Sequence, residues 1–340
     1  IYTYGASVLL MPICVALTGA LLLRMQTFRL RPYVALAVPF ALMTLPFVVF
    51  LARHPNYIGD VANMYKVYDA KRFGALQGAH ELLGWTSLSA RADVYFSYFN
   101  PSLLFFSGAG SLVQTTRNAG VFLVPFLVLL PAAMLHLLKR DAPWYAWLAL
   151  AAFVATPLAA SIVDEHGAVQ RVLPIVPLAA VVVAYFVMQA SADSRAWVRV
   201  GTWVLVAVLP IAFARFHADY LGDYRRRSSA YFEQNVRGAI VEAIAVARQA
   251  TPPRQVCMSR GMNPLVDWYW KFYVQATGAD ALERRATYFD TPADVPSHCE
   301  ADAVVVAEIA ACEKIAADRH AVPTRITEPG GSPSFCVFGN

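Results

Sequence analysis

The sequence predicts an α-helical polytopic membrane protein of about six transmembrane helices, followed by a C-terminal extracytoplasmic α/β domain. Three observations predict it. Of the 340 residues, 58% are hydrophobic and only 15% charged, with a mean hydropathy of +0.46. Six windows, about 5–23, 33–52, 119–138, 144–163, 172–190 and 199–216, reach the ~17 to 25 apolar residues that a spanning helix needs, and none holds an acidic residue. After residue 217 charges recur every few positions and apolar runs shorten, which is the composition of a water-facing domain. The expected division is a transmembrane region over 1–216, with an extracytoplasmic loop over 53–118, and an α/β domain over 217–340. The boundary is expected between Phe216 and Asp223.

Orientation follows from the short loops, because Lys and Arg beside a span resist translocation. Arg24 to Arg31 (RMQTFRLR), Lys139 to Asp141 (KRD) and Ser191 to Arg199 (SADSRAWVR) are short and net positive. They alternate with loop 53–118, the short loop Asp164 to Arg171, and the tail. This places those three outside and predicts a multi-pass plasma (inner) membrane protein with a periplasmic tail. The spans lack the Asp, Glu and Lys that ion-coupled transporters carry at mid-membrane. His136, Arg171 and Arg215 lie at span ends, where a long side chain reaches headgroups. The net charge of +5 accompanies no nucleic-acid-binding motif.

In the tail, Phe232, Val236, Ile240, Ile244 and Ala247 recur at helical spacing and predict a helix over about 228–250. The strand QVCMS follows. Asn263 can cap, Pro264 suits a first helical position, and Leu265 to Ala276 continue as an aromatic helix carrying Trp268, Tyr269, Trp270, Phe272 and Tyr273. That helix is expected to pack on a sheet or lie on the membrane surface. Further strands are predicted at ATYF, ADAVVVAE and SFCVF, with a helix near 310–319. The alternation argues for a layered α/β domain with a partly parallel sheet. Of five cysteines, Cys14 lies in a span and Cys257, Cys299, Cys312 and Cys336 in the tail. Four cysteines allow three pairings and also four buried free thiols; Cys299 with Cys312 is the preferred bridge. Their spacing fits no zinc site, and no metal ligand set or cofactor motif is identified.

Residues 95–120, YFSYFNPSLLFFSGAGSLVQTTRNAG, hold the most specific signal. Aromatics beside Pro- and Gly-broken backbone suit the membrane–water interface, where irregular backbone needs protein or water partners. Tyr95, Phe96, Tyr98, Phe99, Phe105 and Phe106 are expected on a short interfacial helix, as a plain aromatic belt or as the wall of a groove for an isoprenoid chain.

This string resembles the extracytoplasmic loop of the polyprenyl-phosphate-sugar-dependent membrane glycosyltransferases, the C-type superfamily with its protein O-mannosyltransferase-like and aminoarabinose-transferase-like enzymes. The opening IYTYGASVLLMP, the stretch TPLAASIVDEHGAVQRVLPIVPL, and the tail motifs DYLGDYRRRSSAYFEQNVRGAI and WYWKFY resemble that family in the same order. The chain departs from the family pattern at Ala109, Val113, Gln114, Gly167 and Ala168. The resemblance implies sugar transfer from a polyprenyl-phosphate donor, among membrane lipids, to an acceptor that is a protein, lipid or glycan.

A leaving lipid phosphate needs cationic partners, and Arg can hold two of its oxygens at once. Arg171 is the first candidate and Arg117 the second, with Lys71 and Arg72 behind them. The resemblance implies a catalytic carboxylate in the family's first extracytoplasmic loop, upstream of Ile1. The start at a span edge predicts about five further spans there. Asp60, Asp69, Glu81, Asp93, Asp164 and Glu165 match no such motif and are expected to be solvated or structural. A divalent metal requirement stays open. A non-catalytic membrane scaffold with a periplasmic interaction domain, or a lipid-linked sugar transporter or polymerase, are the alternatives.

Overall fold

The computed structural model describes residues 5–25, 30–64, 67, 74–139, 142–162 and 166–339. The chain divides into two units, Ile1–Asp219 and Tyr220–Asn340.

The first unit is helical: α1 (Gly5–Arg24), α2 (Leu30–Arg53), α3 (Tyr57–Met64), α4 (Ala75–Leu83), α5 (Trp85–Ser97), α6 (Phe126–Lys139), α7 (Trp144–Ser161), α8 (Ile175–Ser191) and α9 (Ala196–Leu221). Among the described residues three helices are long and apolar enough to cross a membrane: α2 with 24 residues, α7 with 18 and α9 with 26. The expected windows at 119–138 and 172–190 correspond to shorter helices, α6 with 14 residues and α8 with 17. At 1.5 Å per residue α6 reaches ~21 Å, short of a ~30 Å hydrocarbon layer. Its start is late because Val121 and Phe122, apolar residues inside the expected window, spend their N–H groups elsewhere. They donate to the carbonyls of Leu103 (3.2 Å) and Leu104 (2.7 Å).

α7 is the hub of this unit, packing on α1, α5 and α8, while α6 packs on α8. Leu129, Ala133 and Leu137 of α6, Ala146, Ala149 and Phe153 of α7, and Ile175, Ala179 and Val182 of α8 form its main core. The seam is rich in Ala, and small residues let helix backbones approach closely where lipid offers no hydrophobic drive.

The second unit contains α10 (Asp223–Ser228), α11 (Val236–Ala247), β1 (Val256–Ser259), α12 (Val266–Ala276), β2 (Ala286–Phe289), α13 (Val295–His298), β3 (Val304–Glu308), α14 (Ile309–Arg319), β4 (Thr324–Thr327) and β5 (Pro333–Phe338). The sheet order is β2-β1-β3-β5-β4. β1 runs parallel to β2 and β3, and β5 antiparallel to β3 and β4.

Strand side chains alternate between two faces. Val256, Met258, Val304, Val306, Phe335 and Val337 meet α11 and α12. Cys257, Val305, Ala307, Cys336 and Phe338 meet α14 with Val295 and Phe289. The helix expected over 228–250 begins only at Val236, after Glu233 and Gln234 take left-handed backbone (φ 62° and 58°). Asn235 caps it, its Oδ1 accepting from Gly238 N at 2.9 Å.

The preferred Cys299–Cys312 bridge is corrected. The disulfides are Cys257–Cys299 and Cys312–Cys336, with Cα–Cα distances of 5.8 and 6.1 Å. The reason is the sheet pleat. Cys257 on β1 and Cys336 on β5 both point to the α14 face, where they meet Cys299, which follows α13, and Cys312 of α14. On α12, Trp270 is fully buried and donates to Glu283 O (3.3 Å), whereas Trp268 and Phe272 are 66% and 63% exposed. This helix packs on the sheet by one edge and shows an aromatic edge to solvent.

Candidate functional site

The 95–120 segment is a folded structure in its own right. α5 ends at Ser97, and Asn100 Oδ1 accepts from Ser102 N (2.8 Å) to start a single π-helical turn, Ser102–Phe106. Ser102 and Ser107 hydroxyls meet at 2.8 Å across that turn. The chain then returns along itself. A Cβ built at Gly120 would stand 2.4 Å from Leu104 O and Phe105 N, so only glycine allows the two backbones to cross. Gly108, at φ +67°, is enclosed by Thr115 and Ala119 O, and Thr115 Oγ1 donates to Ala109 O (2.9 Å).

The six aromatics do not share one face. Tyr98 is fully buried and Phe105 is 6% exposed, so both are core. Tyr95 donates its phenol O–H to Val154 O on α7 (3.0 Å), and Phe99 lies 5.9 Å from the Phe153 ring. Phe96 and Phe106 are exposed at 67% and 50%. The interfacial-helix expectation is thus corrected: Tyr95 and Phe96 close α5, Phe105 and Phe106 close the π-turn, and Tyr98 and Phe105 line no groove, because helical and turn geometry rotates alternate rings inward.

The later motif meets this segment. Val94, Tyr98, Leu103 and Ala109 form one buried cluster with Ala160 of α7 and with Val169 and Val172 of the following loop. A Cβ on Gly167 (φ +70°) would sit 3.5 Å from Ala109 Cβ. That is ordinary van der Waals distance, so the two loops touch at Ala109 and Gly167. Arg171 ends a 3-10 turn, Val169–Arg171, between the two clustered valines, and is half-buried. Arg117, at φ 59°, donates a guanidinium hydrogen to Gly110 O and so braces its own loop. Asn118 Nδ2 donates to Asp219 Oδ1 (3.0 Å). Lys71, Arg72, Asp69, Asp164 and Glu165 lie outside the described residues.

Arg91 was missed by the motif reading, while Asp93 was expected to be solvated or structural. Arg91 on α5 donates to the carbonyls of Ile162 and Ser161 at the end of α7 and, through Nη2, to Val67 O (3.0 Å). A cation there satisfies carbonyls that the helix end leaves open and opposes its dipole. Asp93 pairs with His166 Nε2 at 3.1 Å.

In the second unit, the carboxyl ends of the parallel strands gather polar groups. Asn263 Nδ2 donates to Glu233 Oε2 (2.9 Å), Tyr269 O–H donates to the same oxygen, and Arg260 lies 3.7 Å from Asp290 and 5.2 Å from the Tyr288 ring. The Tyr288 phenol is pushed up to about 12, first by burial and then by the Asp267 carboxylate. Among the described residues no group of three His, Cys, Asp or Glu could hold a metal. Compared with family models, with curated proteins and with solved structures, the chain matches none, so the chemistry of the site rests on its own residues.

Proposed function

We propose that the chain is part of a membrane glycosyltransferase that takes sugar from a polyprenyl-phosphate donor on the extracytoplasmic side. The observation that supports this reading is the meeting of two loops that carry the family-like strings, 95–120 and 166–172, on one buried cluster, with Arg171 held between Val169 and Val172. In this reading Arg171 stabilises the charge that develops on the leaving lipid phosphate, and Arg117 fixes the Gly110 turn beside it. Phe96 and Phe106 are the rings available to an isoprenoid chain. The acceptor-activating carboxylate is assigned to no described residue. The reading keeps six spans with both long loops and the tail outside, α6 and α8 crossing a locally thinned bilayer. Reporter fusions at Lys139 and after Asn340 should then give cytoplasmic and extracytoplasmic signals.

The decisive measurement is transfer of labelled sugar from a polyprenyl-phosphate donor. Arg171→Ala should lower turnover by ~100-fold, and Arg171→Lys should recover only part, since an ammonium cannot make the paired contact. Near wild-type transfer by a folded Arg171→Ala protein would leave Arg171 an interfacial anchor and end the phosphate role.

A further inference from the structure

Independently of the transferase reading, the second unit holds a pocket of about 540 Å³ whose lining, which includes Tyr220, Tyr224, Arg225, Gln234 and Glu328, belongs wholly to that unit. The volume falls within the about 300–1,000 Å³ of small-molecule sites. One wall is the turn between β4 and β5. Glu328 N donates to Ser332 O and Gly331 N donates to Glu328 O, both at 2.8 Å. Thr327 O accepts from Asn235 Nδ2 at 2.8 Å, which ties this turn to the cap of α11. Gly330 lies against α10, where a Cβ would stand 3.6 Å from Arg226 O. In this braced wall Glu328 is only 6% exposed, and its Oε1 is shut off from water with no hydrogen-bond partner. A buried carboxylate oxygen left in this way is costly. A ligand that donates to the carboxylate from the pocket offsets that cost.

The other walls narrow the choice of donor. Tyr220 and the buried Tyr224 stack with centroids 5.4 Å apart and 20° between their planes, a flat apolar surface with polar edges. Gln234, in left-handed backbone at φ 58°, is exposed and adds an amide that both donates and accepts. Arg225 is exposed at the rim, with the exposed Arg226 beside it. A simple cation would meet this positive rim, and a simple anion would meet the Glu328 carboxylate. A small zwitterion answers both charges but has no flat apolar face for the tyrosines. A sugar ring has hydroxyls that donate to a carboxylate, oxygens that accept from a guanidinium or an amide, and a face of C–H groups that suits an aromatic ring.

We propose that this pocket binds a neutral pyranose unit of a glycan, with one ring face on the tyrosine pair, hydroxyls donating to Glu328, and a sugar oxygen accepting from Arg225.

The test is ligand-observed saturation-transfer NMR on the purified full chain, in a detergent without a sugar headgroup. The neutral probes are methyl β-glucoside, methyl β-galactoside and methyl α-mannoside; the charged probes are ethanolamine, methyl phosphate and O-phosphoethanolamine. At least one glycoside should bind ~10-fold tighter than every charged probe. Glu328→Gln, which replaces the charged acceptor, and Tyr220→Ala, which removes the stacking face, should each weaken that glycoside by ~10-fold with thermal unfolding unchanged. A charged probe that binds as tightly as the best glycoside overturns the proposal. So does the absence of glycoside binding, or full glycoside binding by a folded Glu328→Gln protein. If Glu328→Gln does not fold, the probe ranking and Tyr220→Ala, at a half-exposed side chain, decide. Sugar transfer is not part of this readout, so loss of the transferase reading leaves the result standing.

Discussion

α7 and the pair α2 and α9 are all long and apolar, yet their surroundings are opposite. Within the protein, 61% of the α7 window is buried, against 0% for α2 and 6% for α9. The ranking by hydropathy runs the other way, 1.4 for α7 against 2.4 and 1.8. The difference lies in side-chain size. α7 reads WYAWLALAAFVATPLAAS, whose alanines at 146, 149, 152, 155, 159 and 160 are buried, while α2 turns Leu42, Met43, Leu45 and Val48 outward. Hydropathy measures how well a helix tolerates lipid; small residues mark the helix that other helices choose.

The sharpest way to break this comparison uses two glycines. Gly120→Ala forces a Cβ into backbone at 2.4 Å and should cost more than ~4 kcal/mol or prevent folding. Gly201→Ala on α9 meets nothing within 4 Å and should gain ~0.5–1 kcal/mol. Thermal unfolding in detergent reads both, and equal effects would remove the distinction between crowded and bare regions.

Next in size is the covalent contribution to the second unit. Replacing Cys312 and Cys336 together by Ala, which opens a link over a separation of 24 residues, should cost ~3 kcal/mol. Peptide mapping without reductant should recover Cys257–Cys299 and Cys312–Cys336, and a Cys299–Cys312 peptide would reverse the correction.

Helix packing comes third. Ala160→Leu, at a fully buried position, should cost ~1–3 kcal/mol by overpacking. Ala207→Leu on the exposed side of α9 should change stability by less than ~0.5 kcal/mol. A larger loss at Ala207 than at Ala160 would mean that α9 has a protein neighbour.

The smallest effect is a pH dependence confined to the second unit. Tyr288 is an acid whose folded pKa, about 12, lies above its ordinary value near ~10. Its neutral form is favoured in the fold, so its contribution is complete below ~10 and is lost as pH rises from ~10 to ~12. Tyr288→Phe should flatten that decline in a thermal-unfolding series, and an unchanged slope would remove Tyr288 as its source.

The same contrast explains what could be read from sequence. Strands β1, β3 and β5 were legible because Val256, Val305 and Phe338 belong to runs that are apolar on both faces. β4 was missed because TRIT is a largely exposed edge strand with no buried pattern to read. The α6 window overshot because Val121 and Phe122 are apolar for a reason other than spanning. Within the candidate site, Arg171 stood out by its position before a span, but Arg91 did not. Its partners are main-chain carbonyls some 70 residues away, and carbonyls have no sequence signature. The disulfide pairing failed for a related reason: spacing along a chain does not encode which face of a sheet a cysteine occupies.

Both bridges lie on one side of that sheet, the side covered by α14, while α11 and α12 hold the other side by packing alone. Reduction therefore acts on one layer. Amide exchange along Ile309–Arg319 should accelerate first when the thiols are freed, with Val236–Ala247 still protected, so the domain comes apart in a fixed order set by where its sulfur atoms sit.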